Sequence, residues 1–241
     1  MLSSRWPLWK ALTDDERERM ERLIKEFIAD KRFESAKDFD VTDAMRVLIA
    51  AQACLLVLEL GMEYYQGVGT IIVHRSTVVL RGPRATGTAG LMSNDPFPID
   101  GQAHYGGPLI IAWDAASYDG RHPARGLNVV YHEFAHKLDM LDGTIDGTPP
   151  IADEELRRRW IEVCTHELKA LRRGEESPLR AYGAENPGEF FAVATEVFFS
   201  RPVELQTERP ALYEVLAEFY GQDPAARFAP PDAIANAGAG D

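Results

Sequence analysis

The chain has 241 residues, of which 45% are hydrophobic and 27% are charged, and its formal net charge at pH 7 is -12. This length is enough for one domain with a sizeable core. The negative charge argues against direct binding of nucleic acid, because such binding depends on clustered lysine and arginine.

No targeting or membrane segment is predicted. The first residues, MLSSRWPLWKAL, contain neither a long apolar region nor a signal-peptide cleavage site. The longest apolar run is interrupted by Gln52 and Glu59 and is too short for a spanning helix. Cys54 and Cys164 lie in apolar helical patterns, which favours two buried thiols over a disulfide. We therefore expect a cytoplasmic protein with no membrane partner.

The first half of the chain contains two helix patterns and then two strand patterns. Thr13 followed by acidic residues is typical of a helix start and predicts a helix over about residues 13–31. Thr42 caps a segment that is apolar almost all round, which indicates a buried helix. The stretches TIIVHRS and TVVLRG, which begin at Thr70 and Thr77, are β-branched and predict short strands.

Residues 82–107 are rich in glycine and proline and predict a long loop, which is either functional or mobile. If the loop is functional, it covers a cleft, and His104 and Tyr105 are the residues of the loop that would take part. The stretch PLIIAWDAA then predicts a strand around residues 108–114. This strand is either an ordinary core strand or an edge strand that pairs with an extended peptide.

Helix patterns dominate the second half of the chain. They are NVVYHEFAHKLDML, ADEELRRRWIEVCTHELKALRRG, NPGEFFAVATEVFFSRP and RPALYEVLAEFYG. Helices with a small sheet just before the histidine-containing helix indicate an α+β fold. We expect a single domain over residues 1–224, with the N-terminal helices included, and a disordered tail over residues 225–241, which is poor in large apolar side chains.

The stretch VVYHEFAHKLDMLDG contains the pattern HExxH. His132 and His136 are four residues apart and therefore share one face of a helix, where two imidazoles can bind one metal ion. Glu133 projects beside that face, where it can take a proton from a water molecule on the metal. The alternative is a helical histidine pair that is solvated or satisfied within the core.

A catalytic zinc needs three protein ligands, and the sequence offers several carboxylates as the third. Glu189 begins a largely apolar helix, and its alternative role is a capping box with Asn186. Glu196 is either the competing ligand or an acid that hydrogen-bonds to a ligand without binding the metal itself. Asp139 is either such a supporting acid for a histidine or a solvated residue at a helix end.

NVVYHEFAHKLDMLDG together with YGAENPGEFFAVATEVFF closely resembles the Mlc titration factor A family. Members of that family are zinc peptidases of the gluzincin type and are also similar to the catalytic domain of anthrax lethal factor. The similarity runs from about residue 45 to residue 224. It implies a mainly helical, zincin-like metallopeptidase fold with a small sheet packed against the HExxH helix.

The same resemblance implies the roles of individual residues. One Zn²⁺ per chain would be bound by His132, His136 and Glu189, and Glu133 would be the general base. Tyr182 matches a tyrosine proposed in such enzymes to help stabilise the oxyanion.

The resemblance also implies activity and partners. It implies cytoplasmic peptidase activity, aminopeptidase-like on small substrates, and binding to the glucose-responsive repressor Mlc, which frees sugar-transport genes. The alternative is a non-catalytic regulatory protein that sequesters a transcription factor. Endopeptidase and exopeptidase activity both stay open, because no motif specifies how a substrate is held.

Overall fold

The computed structural model describes residues 1–36, 39–76 and 107–228, together with the backbone of short strands between residues 78 and 102. The α-helices are α1 (Leu2–Arg5), α2 (Leu8–Ala11), α3 (Asp14–Asp30), α4 (Asp43–Leu56), α5 (Trp113–Arg121), α6 (Val129–Asp139), α7 (Glu154–Arg172), α8 (Pro187–Ser200), α9 (Pro202–Glu208) and α10 (Pro210–Tyr220). The strands are β1 (Arg32–Ser35), β2 (Thr70–His74), β3 (Val78–Leu80), β4 (Arg84–Ala85), β5 (Met92–Ser93), β6 (Phe97–Ile99), β7 (Gly101–Gln102) and β8 (Leu109–Ala112). The fold is α+β and mainly helical, as predicted.

The main sheet has the strand order β1-β2-β8-β7. Strands β1, β2 and β8 are parallel, and β7 pairs antiparallel with β8. In register, Val73 lies opposite Ile111, and both side chains are buried. Since β8 has a neighbour on each side, it is a core strand, and the prediction that it could pair with a peptide at a sheet edge is wrong. It also ends at Ala112, before the predicted residue 114.

The second predicted strand, TVVLRG, is confirmed as β3, which pairs antiparallel with β6. Short strands β4 to β7 lie within the stretch predicted as a loop over residues 82–107. The rest of that stretch, including His104 and Tyr105, lies outside the described residues.

The longer predicted helices are confirmed as α3, α4, α6, α7, α8 and α10. Thr13 caps α3 with a full capping box to Glu16, and Thr42 caps α4. The sequence did not predict α1, α2, α5 and α9, which span at most nine residues each. Helix α5 follows β8 directly and lacks a side-chain cap, so no local signal marks its start.

Helix α6 is held in the core by aromatic contacts. The ring of Phe134 lies 5.7 Å from that of Phe27 on α3 and 4.8 Å from that of Tyr65. Trp6, which is fully buried, donates from Nε1 to the hydroxyl of Tyr131 at 3.2 Å. The N-terminal segment therefore packs against the same helix that carries the histidines.

The described part of the chain extends beyond the predicted domain end at residue 224. Ala225 is buried, residues 226–228 form a 3-10 turn, and the Arg227 Nη2 atom donates to Glu16 Oε1 at 2.7 Å. Residues 229–241, the rest of the predicted tail, lie outside the described residues.

The prediction of two buried thiols is confirmed for Cys54 only. Both cysteines are free thiols; Cys54 is buried, whereas Cys164 is only partly covered. None of the helices in the described part of the chain combines the length and the apolarity needed to cross a lipid bilayer.

Candidate metal centre

Helix α6 presents two histidines on one buried face. Its N-cap is Asn128, whose side chain accepts from the backbone of Tyr131 at 3.0 Å and donates to Gln52 Oε1 at 2.7 Å. One helical turn separates His132 from His136, and their Nε2 atoms lie 3.2 Å apart. The predicted HExxH geometry is therefore present.

The carboxylate of Glu189 comes from a second helix, α8, and meets both imidazoles. Asn186 caps α8 by accepting from the backbone N–H of Glu189 at 3.0 Å. Glu189 Oε2 lies 3.1 Å from Nε2 of His132 and 3.5 Å from Nε2 of His136. The capping-box alternative does not account for this position, because the carboxylate is directed at the histidines.

These three atoms have the spacing that a tetrahedral metal ion requires. For ligand bonds of about 2.0–2.1 Å, two donors in a tetrahedral shell lie about 3.3–3.4 Å apart. The observed separations are 3.1, 3.2 and 3.5 Å. Glu189 Oε2 is also buried without a hydrogen-bond partner in the described structure. Two imidazoles and a carboxylate are a donor set that suits zinc, so these residues fit a bound metal ion.

The carboxylates and imidazoles of this site shift one another's pKa values. Burial alone would lower the pKa of His132, but Glu189 and Glu196 outweigh burial and raise it to about 10. Burial alone would raise the pKa of Glu189, but the two imidazoles hold it well below its usual value. The carboxylates of Glu189 and Glu196 therefore stabilise positive charge at His132.

Glu196 lies behind His132, on the side away from Glu189. Its Oε1 is 2.8 Å from His132 Nδ1, and its Oε2 accepts from the backbone N–H of Asn128 at 2.7 Å. Because a carboxylate only accepts, the first contact places a proton on Nδ1 and leaves the Nε2 lone pair for a metal. Of the two alternatives for Glu196, the supporting acid is the one that this geometry favours.

Arg180 contacts this supporting acid and was not identified from the sequence. Its Nη2 atom forms an ion pair with Glu196 Oε1, and Glu196 itself is only 1% exposed. The guanidinium carbon also lies 5.1 Å from the ring centre of Tyr182. Arg180 therefore compensates the buried charge behind the histidine, a role for which no local sequence signal exists.

Glu133 is buried beside the two histidines and is not hydrogen-bonded through Oε2 to any described group. Burial raises its pKa, and His132 and His136 counteract part of this increase. Together with His132, it lines a cavity of about 910 Å³. A carboxylate with a raised pKa and a free oxygen beside such a cavity can accept a proton from a bound molecule.

Tyr182 lines the same cavity, and its ring centre lies 6.0 Å from that of His132. Burial raises the pKa of its phenol, and Glu189 raises it further. The hydroxyl is therefore protonated at neutral pH and can donate a hydrogen bond. The structure thus brings all five predicted site residues, His132, Glu133, His136, Tyr182 and Glu189, into one region.

Asp139 is fully buried, so the prediction of a solvated residue at a helix end is wrong. Its Oδ2 accepts from the backbone N–H of Gly147 at 3.0 Å, while its Oδ1 has no described partner. Asp139 therefore anchors the loop that follows α6. The sequence did not single out Gly147 as its partner.

Comparison with known proteins agrees with this geometry. The family model described as Glucose-regulated metallo-peptidase M90 matches residues 1–221. Two relatives named Mlc titration factor A, from Edwardsiella ictaluri and Cronobacter sakazakii, are 36% and 33% identical to the chain. Both matches cover 92% of this chain, and they cover 86% and 84% of the relatives. An uncharacterized protein of Synechocystis sp. is 36% identical, over 93% of this chain and 83% of its own length.

The resemblance inferred from the two motifs is confirmed by these matches. The family match begins at residue 1, well before the predicted start near residue 45, so the N-terminal helices are part of the shared region. A group of two histidines and a glutamate that can bind a metal agrees with the family's description as a metallo-peptidase. The chain belongs to the glucose-regulated metallo-peptidase M90 family.

Proposed function

We propose that the protein is a zinc-dependent peptidase of the gluzincin type. The observation that carries this proposal is the tetrahedral spacing of three donor atoms from two helices, with separations of 3.1, 3.2 and 3.5 Å. Three protein ligands leave a fourth position for solvent, which is typical of catalytic zinc sites. In this proposal, His132, His136 and Glu189 bind the ion.

A bound zinc ion would polarise the scissile carbonyl and lower the pKa of a water molecule to about 7. Glu133, with its free Oε2 beside the cavity, accepts the proton of the attacking water and then donates it to the leaving amine. Tyr182 donates its O–H to the oxygen that develops negative charge. Glu196 and Arg180 keep the ring of His132 oriented throughout.

We extend the proposal to aminopeptidase-like activity on small substrates, which the resemblance to the Mlc titration factor A family implies. An aminopeptidase needs an acid that holds the free α-amine of its substrate. Asp114 lines the cavity, is exposed, and forms no ion pair with any described residue. It is our candidate for that acid.

Glu133→Gln tests the catalytic proposal directly. We expect the zinc content to stay the same, because the three ligands remain. Peptide hydrolysis should fall by about 10²–10⁴-fold, because the base is lost. Zinc content by atomic absorption and turnover of alanyl peptides measure the two effects. Glu162→Gln, on the exposed side of α7, is the matched control, and hydrolysis that survives in Glu133→Gln would overturn the assigned role.

Glu189→Ala tests the third ligand. We expect loss of bound zinc together with loss of turnover, since two histidines alone bind the ion more weakly. Glu185→Ala removes an exposed carboxylate from the same segment and should retain both. Full zinc occupancy in Glu189→Ala would show that another group is the ligand.

The regulatory role is a second candidate, supported by the name Mlc titration factor A that two relatives have. We propose that the chain also binds an Mlc-like transcriptional repressor in the cytoplasm. In a protein that only binds, Glu133→Gln would bind the repressor normally and the wild type would not hydrolyse peptides. Gel filtration with purified repressor, beside the turnover assay, distinguishes the binding-only alternative from the enzyme.

A further inference from the structure

Four arginines line the cavity that opens onto Glu133, and they come from four separate segments. They are Arg75 after β2, Arg121 at the end of α5, Arg125 in the following turn and Arg180 before Tyr182. The whole chain is acidic, with 26 lysines and arginines against 38 aspartates and glutamates. The arginines of the cavity therefore contrast with the composition of the chain.

Two of the four carboxylates that line the same cavity already have partners. Glu196 accepts from Asn128 and His132 and pairs with Arg180. Asp119 accepts from the backbone of Val129 at 3.4 Å. Besides these, the cavity contains Glu133, the proposed base, and Asp114, the proposed amine acceptor.

Arg121 and Arg125 retain most of their hydrogen-bonding capacity. Arg121 donates from Nε to the carbonyl of Ser117 at 2.9 Å, and it forms no ion pair with any described residue. Arg125 forms an ion pair with Asp119, but their separation of 3.7 Å is beyond hydrogen-bond distance, and the Arg125 side chain is 48% exposed. Its guanidinium carbon lies 5.0 Å from the ring centre of Tyr118, which restricts its orientation.

A guanidinium group with free N–H donors is the side chain best suited to bind a carboxylate through two parallel hydrogen bonds. We propose that Arg121 and Arg125 determine specificity by binding a carboxylate of the substrate, away from the bond that is cut. This inference rests on the proposed peptidase function and adds a substrate class to it. The carboxylate is either an acidic side chain or the free C-terminus of a short peptide.

The test uses the zinc-loaded full chain and a set of alanine hexapeptides. Each peptide has Glu or Gln at one position in turn and a free or amidated C-terminus. We expect kcat/KM to be about tenfold higher for peptides with the recognised carboxylate, mainly through KM. A preference for Glu over Gln identifies an acidic side chain, and a preference for the free acid over the amide identifies the C-terminus.

Variants and a binding measurement complete the test. Arg121→Gln/Arg125→Gln should lose the preference, and Arg121→Glu/Arg125→Glu should favour a matched set of peptides that have Lys in place of Glu. The control is Arg158→Gln/Arg159→Gln on α7, which should keep the preference. Binding of the same peptides to zinc-loaded Glu133→Gln, followed by fluorescence, reports recognition without cleavage. If the wild type cleaves none of the peptides, the proposed peptidase function is refuted. Equal binding of all four peptide types would overturn the carboxylate inference. A preference that survives in Arg121→Gln/Arg125→Gln would overturn it as well.

Discussion

At the residue scale, the environment of His132 determines which of its ring nitrogens faces the metal centre. Glu196 occupies the Nδ1 side at 2.8 Å, and Glu189 lies on the Nε2 side at 3.1 Å. A carboxylate behind a ligating histidine fixes the tautomer and raises the basicity of the ligand. Arg180 in turn compensates the charge of Glu196, which is otherwise costly at 1% exposure.

Glu196→Gln should weaken metal binding while leaving the three proposed ligands in place. We expect zinc affinity to fall by about 10–100-fold, because a neutral amide polarises His132 less and leaves Arg180 without its partner. Competition with a chromogenic chelator measures the affinity. The matched control, Glu218→Gln, breaks an exposed ion pair with Arg159 and should leave the affinity unchanged. Equal affinities in the two variants would contradict the supporting role.

Tyr182→Phe separates oxyanion stabilisation from binding. Because the raised pKa keeps the phenol protonated, the wild type presents a donor that phenylalanine lacks. We expect kcat to fall by about 10²–10³-fold, with zinc content unchanged and KM changed much less. Steady-state kinetics on one alanyl peptide are sufficient. A variant with unaltered kcat would remove Tyr182 from the mechanism.

At the scale of elements, the loop after α6 contacts both helices that supply the proposed ligands. Gly147 donates to Asp139 on α6, accepts from Trp160 on α7 at 2.9 Å, and lies against the backbone of Pro187 at the start of α8. Its φ of +77° is in the left-handed region that glycine adopts most readily. Any side chain here would push α8, and with it Glu189, away from α6.

Gly147→Ala should therefore destabilise the fold and weaken zinc binding together. An added Cβ would lie 2.3 Å from the carbonyl oxygen of Pro187. Gly174→Ala is the matched control, since Gly174 has a φ of +74° with nothing within 4 Å of an added Cβ. We expect the control to cost about 1–2 kcal/mol in the free energy of unfolding, from backbone strain alone, and Gly147→Ala to cost more.

Urea unfolding of the metal-free proteins and zinc titration measure these two effects. Only Gly147→Ala should lower zinc affinity. An equal loss of stability in the two variants would show that the contact with Pro187 relaxes without cost.

At the scale of the whole molecule, the two ends of the described chain are joined by an ion pair. The guanidinium group of Arg227 contacts Glu16 Oε1 through two nitrogens, at 3.1 and 2.7 Å, and Nη2 also donates to Gln222 at 2.9 Å. The side chains of Arg227 and Glu16 are only 7% and 15% exposed. Glu16 lies in the first turn of α3, so this contact ties the C-terminal turn to the N-terminal helices.

Arg227→Met should lower the free energy of unfolding by about 1.5–3 kcal/mol at pH 7, because hydrogen bonds to a charged group are lost. Burial alone would raise the pKa of Glu16, but hydrogen bonds from Arg227 and Thr13 lower it below its usual 4.5. A carboxyl group whose pKa is lower in the folded state than in the unfolded state stabilises the fold at pH values above its unfolded-state pKa. This stabilisation is lost as the pH falls through the folded-state pKa.

The difference between wild type and Arg227→Met should therefore be full at neutral pH and shrink as the pH falls below about 4.5. Urea unfolding across this range is the measurement. Truncation after residue 224 should lower stability by more than Arg227→Met does, because it also removes the buried Ala225. A difference that does not depend on pH would exclude the ion pair as its cause.

The sequence by itself determined the elements whose signals are local. Helix period places His132 and His136 on one face, and caps at Thr13 and Thr42 mark the starts of α3 and α4. Local patterns could not predict that β8 pairs with a strand on each side, or that α5 forms. Neither feature leaves a periodic or capping pattern in the sequence.

The choice among carboxylates was decided only by the tertiary structure. Glu189, Glu196 and Asp139 are all plausible acids in the sequence, and the packing of α8 against α6 gives each a different position. Glu189 meets the Nε2 atoms, Glu196 lies behind His132, and Asp139 anchors Gly147. Local spacing determines which side chains share a helix face, whereas contacts between residues far apart in sequence depend on how buried helices pack together.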